Sequence, residues 1–197
     1  MSTSIYGIIE VRDNGKWRLE SSDLDTKGQS YDAYACLFGI RNYVHFNPIA
    51  AERGIPVDCS LRRDDEFLEF YYNYSWIGYG EIQKIDLTKL NDGDNERAEV
   101  HLRLLDGTIL DCYDAYKLLI RDCDAYRGID HEQYVQIRKS VKKDRPIVIE
   151  GIGELFLKTK MSRGEAIGNV FEKTFAKMKE LADIYGSENV RMVVGFD

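Results

Sequence analysis

The sequence predicts an α+β fold: a single mixed or antiparallel sheet with packed helices and an inserted hairpin-helix region. Three observations carry this reading. Roughly five or six strand-like and four or five helix-like stretches occur without regular βαβ alternation. A β-branched run at 5–11 leads into Asn14-Gly15, the strongest short-range hairpin signal. A long amphipathic helix ends at Gly186 and is followed by the Val-rich run 190–196 (VRMVVGF), which suits a central strand. Segments 5–11 and 190–196 are therefore expected in one sheet, within a single domain over 1–197 that has an inserted subdomain at about 86–125.

Composition narrows the class. The 197 residues are 44% hydrophobic and 31% charged, as in a globular protein with one good core. A net charge of −7 argues against broad nucleic-acid binding, which needs clustered Lys and Arg, but permits a local basic patch for one small anion. No apolar run reaches the roughly 18 residues that span a bilayer. The stretch MSTSIYGIIEVRDNG lacks a basic n-region and a long apolar h-region, so a cytoplasmic protein without membrane contact is expected. Cys36, Cys59, Cys112 and Cys123 form no C-x-x-C pair and have no His at zinc spacing, and they read as reduced thiols. No metal and no cofactor are expected.

In chain order, Asn14-Gly15 returns the first strand through 16–19 (KWRL), with Trp17 and Leu19 on one face. The polar stretch 20–30 is a surface loop. Ser30 caps a helix from Tyr31 to about Gly39. Asp58 or Ser60 caps a second helix through about Tyr71, mostly solvated because of its charges. The segment 69–85 gathers Phe70, Tyr71, Tyr72, Tyr74, Trp76 and Tyr79. It reads either as a core strand or corner, or as a wall for stacking a flat ligand. The charged loop 91–99 lacks the spacing of a calcium loop. Alternation at 100–104 and Asp106-Gly107 give a second hairpin, followed by a helix from Asp114 with Ala115, Leu118 and Leu119 inward. Asp111, Asp114, Asp122 and Asp124 read as solvated turns and caps. Asp130 and Gln133 open a helix over 130–144 whose basic end suits the helix dipole, and Pro146 stops it before a buried strand at 147–149. Ser162 and Glu165 form a capping box for the longest helix, to about Tyr185.

The loop 39–61 (GIRNYVHFNPIAAERGIPVDCSL) stands apart. It is long and lacks periodicity, yet Tyr43, Val44, Phe46, Ile49 and Ile55 are not linker residues. It reads as ordered and packed, presenting polar groups to a concave site.

The motifs YDAYACLFGIRN, FNPIAAERGIPVDCS, SWIGYGEI and ENVRMVVGFD resemble a family of uncharacterised proteins widespread in bacteriophage genomes. Matching positions are 14–17, 31–42, 53–60, 75–76 and 191–197, and residues 86–160 are unmatched. The family often begins Cys-Asp-Ile-His where this chain has Thr3-Ser4-Ile5-Tyr6. It often carries histidines before the Ser-Trp pair, where Asn73 and Tyr74 stand here. Tyr and Ser hydrogen-bond but do not readily hold a metal or move a proton.

The resemblance implies phage origin, and with it a counter-defence role in the host cytoplasm. The function expected is sequestration of a small anionic, nucleotide-like ligand, such as a host immune signal. Arg41, Asn47 and Arg53 would grip phosphates, and Tyr43 or Trp76 would stack a base. One alternative is a phosphodiester hydrolase using His45 with Asp58 or another carboxylate as an acid–base pair. Another is a protein inhibitor of a host defence protein. A homo-oligomer stays open, as does a host protein partner.

Overall fold

The computed structural model describes residues 3–61, 68, 70–121 and 130–197. By contact the chain divides into two compact units, Met1–Gly93 with Ser162–Asp197, and Asp94–Met161. The α+β class holds. The strands, however, lie in two antiparallel four-stranded sheets, where one sheet was expected. The second unit contains the hairpin-helix stretch expected near 86–125 only in part, and extends it to residue 161.

In the first unit β1 (Ile5–Asp13) and β2 (Lys16–Ser21) form the Asn14-Gly15 hairpin. Strand β8 (Val190–Phe196) pairs with β1 on one side and β3 (Tyr72–Gly78) on the other, giving the order β2-β1-β8-β3. The Val-rich segment is thus an interior strand, and segments 5–11 and 190–196 share a sheet as expected. Alternation sends Ile9, Val11, Ile77, Met192, Val194 and Phe196 to one face. Phe196 meets the rings of Tyr34 and Phe38 there, at centroid distances of 5.6 and 5.7 Å. These two side chains come from α1 (Tyr31–Phe38), whose N-cap Ser30 accepts from the Ala33 N–H. The short helix α2 (Tyr79–Ile82) follows β3 directly. The helix expected over about 60–71 falls mostly outside the described residues.

The expected long helix over 162–185 is two helices, α5 (Arg163–Ile167) and α6 (Glu172–Tyr185). Gly168 sits at φ 48°, ψ −129°, which cannot continue a right-handed helix. The apolar stripe survives the break, because Ile167, Val170, Phe171, Met178 and Leu181 are all buried. Helix α6 packs on β1 and β8.

The second unit is built on the sheet β5-β4-β7-β6, formed by β4 (Val100–Leu104), β5 (Ile109–Leu110), β6 (Ile147–Ile149) and β7 (Gly153–Leu157). Val100, Leu102, Ile149 and Leu155 pack with Ala115, Leu119, Tyr134 and Val141. Helix α3 (Cys112–Tyr116) begins earlier than expected, because Asp111 is its cap and accepts from the N–H groups of Tyr113 and Asp114. Asp122, Asp124 and Cys123 lie outside the described residues. Helix α4 (His131–Ser140) has the expected Asp130–Gln133 capping box but stops short of 144. There Val141 turns to extended backbone and is buried in the core. Among the described residues no helix is long and apolar enough to cross a membrane.

Candidate functional site

The second face of the first sheet carries the polar chemistry. Register places Glu10, Arg191 and Gly78 side by side across β1, β8 and β3, with Ile8, Val193 and Trp76 in the next row on that face. Glu10 is fully buried and Arg191 is 4% exposed. Arg191 Nε donates to Glu10 Oε2 at 2.8 Å, and Nη1 donates to Asp58 Oδ1 at 2.9 Å. The guanidinium lies 3.8 Å from the ring centre of Trp17 on β2 and 5.8 Å from that of Trp76. Its Nη2 is buried without a hydrogen-bond partner among the described residues.

The loop 39–61 packs as expected. Val44, Phe46, Ala50 and Pro56 are buried, and the N–H groups of Ile49 and Ala50 donate to the end of α1. Its far end straps onto the ion pair: Asp58 takes Arg191, while the Ser60 N–H and the Cys59 thiol both donate to Glu10 Oε1. Burial opposes ionisation of Asp58, but Arg191 outweighs it and holds that carboxyl below its ordinary value, helped by a hydrogen bond from Trp17. Burial, with Glu10 beside it, pushes the Cys59 thiol up to about 11.

Beside this cluster an open groove of about 280 Å³ is lined by Trp17, Trp76, Glu81, Lys84, Glu188 and Arg191, among others. Of the five residues expected to bind ligand, Trp76 is the one that lines it. Arg53 braces its wall instead. Its guanidinium grips both Glu81 oxygens at 2.8 Å, donates to the backbone oxygens of Ile49 and Trp76, and lies 4.9 Å from the Trp76 ring centre. Hydrogen bonding from Arg53 draws the Glu81 carboxyl below its ordinary value. The turn that aims Arg53 has Gly54 at φ 66°.

The other expected residues are engaged elsewhere. Arg41 is exposed, and its Nε donates to Thr3 Oγ1 at 3.0 Å. Asn47 is exposed; its N–H donates to Asp92 and its backbone oxygen accepts from Arg163. Tyr43 is half-buried, with its N–H donating to the Arg41 oxygen. His45, exposed at φ 58°, accepts at its backbone oxygen from the N–H groups of Asp92 and Gly93. Asp58, the other candidate for acid–base work, is held by Arg191. Tyr6 stacks on Tyr71 with centroids 4.2 Å apart. Among the described residues, no three His, Cys, Asp or Glu gather in a way that could hold a metal ion.

The residues that sequence reasoning missed are Glu10, Trp17 and Arg191. A signal was present: an interior strand reading VRMVVGF holds one cation, and the β-branched run 5–11 that pairs with it holds one carboxylate, Glu10. A buried charge demands such a partner. No family model, curated protein or solved structure matches this chain.

Proposed function

We propose that this chain captures a small nucleotide-like ligand and releases it unchanged, using the groove walled by Trp17 and Trp76. The observation that carries the reading is a nearly buried arginine lining that groove, with one nitrogen left unpartnered and its guanidinium 3.8 Å from the Trp17 ring centre. Aromatic walls suit the flat face of a base, and Lys84 at the same groove suits a phosphate. Given the resemblance to bacteriophage proteins, such capture would remove a host signal nucleotide.

The purified chain should bind nucleotide in equilibrium dialysis, return it intact after heat denaturation, and show no turnover on prolonged incubation. Trp76→Ala should weaken binding by about 1–3 kcal/mol, the usual worth of one stacked base. Appearance of a hydrolysed product, or full affinity in Trp76→Ala, would sink the reading.

A further inference from the structure

The hydrogen-bonding pattern of the groove deepens the capture reading, on which this inference rests. Arginine has five N–H donors in a fixed fork and no acceptor. In Arg191, Nε serves Glu10 and Nη1 serves Asp58, which leaves Nη2 buried without a partner. The cause is local. A carboxylate often takes Nε and Nη2 together, but the second oxygen of Glu10 is drawn to the Ser60 N–H and the Cys59 thiol. A buried donor without an acceptor is costly, so a ligand that supplies one gains that cost back.

The charge of that acceptor is constrained too. One guanidinium already faces two carboxylates, so another anionic oxygen there is repelled while a neutral carbonyl is welcome. The same groove contains Glu188, an exposed carboxylate whose Oε1 accepts from Asn189 Nδ2 at 3.3 Å and which can take a further N–H. The lining therefore offers a donor in Arg191 and an acceptor in Glu188.

We infer that the groove selects a lactam nucleobase (guanine, hypoxanthine or uracil), whose exocyclic carbonyl meets Arg191 Nη2 and whose adjacent ring N–H turns to Glu188. Adenine and cytosine present an amine where the carbonyl would sit, opposing donor to donor. Nη2 is shielded from bulk water in the unliganded chain. To reach it the carbonyl must displace part of the groove wall that Trp17 and Trp76 help to form, so indole emission changes on binding.

The test titrates the full chain with GMP, IMP, UMP, AMP and CMP, read by tryptophan emission and by equilibrium dialysis. GMP, IMP and UMP should bind at least about ten-fold tighter than AMP and CMP, because a site built for one hydrogen-bond pattern rejects its mismatch. That preference should disappear in Arg191→Lys and in Glu188→Ala. Equal binding of all five, or a preference for AMP or CMP, overturns this inference and leaves capture standing. Binding of none overturns both. Where Arg191→Lys does not fold, Glu188→Ala decides alone at its exposed position, and a preference retained there overturns the inference.

Discussion

Glu10 and Arg191, 181 residues apart in sequence, face each other across adjacent strands and bury a salt bridge of 2.8 Å. Neither charge can be left alone there without a large desolvation cost. Arg191→Met, which leaves the fully buried Glu10 without its cation, is therefore expected to destabilise the first unit by about 3–5 kcal/mol. The paired change Glu10→Leu with Arg191→Met should recover most of that loss, since both partners leave together. Urea midpoints of the single and double variants check this, and a single-variant loss below about 1 kcal/mol would contradict it.

Arg53→Lys keeps the charge but loses the fork that holds both oxygens of Glu81 and two backbone carbonyls. A loss of about 1–3 kcal/mol in stability is expected, typical for hydrogen bonds to a charged group. Ligand affinity should change only indirectly, through Trp76 and Glu81. Thermal melting and dialysis on the same variant separate the effects. An unchanged melting temperature with lost binding would show that Arg53 touches ligand.

Acid should weaken the fold through Asp58 and Glu81. Both carboxyls titrate below their ordinary values in the folded chain. Their stabilisation is thus complete above the unfolded value, about 4, and is lost as pH falls through the lower folded values. Asp58→Asn should flatten part of that acid-side slope, and denaturation followed between pH 5 and 2 would reveal it. An identical slope in the variant would remove Asp58 from the account.

The thiols of Cys36 and Cys59 should be slow nucleophiles. Burial pushes Cys36 and Cys59 up to about 11. At pH 8 both should react with a disulfide reagent far more slowly in the folded chain than in urea, since the thiolate is the reactive form. Because the folded pKa is raised, the associated stability is complete below the unfolded thiol value. It is lost as pH rises toward about 11. Rapid labelling of Cys59 in the folded chain would contradict this.

Much of the first sheet was legible because its signals are local. Asn14-Gly15 names its own turn, Ser30 and Gly39 bracket α1, and the Val-rich run of β8 permits little but an interior strand. The break at Gly168 was not legible, since the apolar stripe runs through it without a gap. Nor was β7, because GELFL is too short to outweigh the turn signals around it. Loop 39–61 is packed as its apolar residues required, and Trp76 lines the groove. Arg53, readable from sequence as a ligand contact or as a loop brace, is held by Glu81, and the residue that the loop delivers to the cluster is Asp58. Such pairings depend on contacts far apart in sequence, which periodicity does not encode.

The interior position of β8 also sets an order of events during synthesis. Strands β1 and β3 leave the ribosome early, but each has β8 as a neighbour, so the first sheet cannot close until residues 190–196 have been made. Residues 94–161 emerge in the interval with their own sheet and core, and can be complete while the flanking segments still wait. The groove, which needs Trp17, Trp76 and Arg191 together, comes into being only when translation has nearly passed the last strand. A nascent chain that lacks residues 190–196 therefore lacks the groove as well.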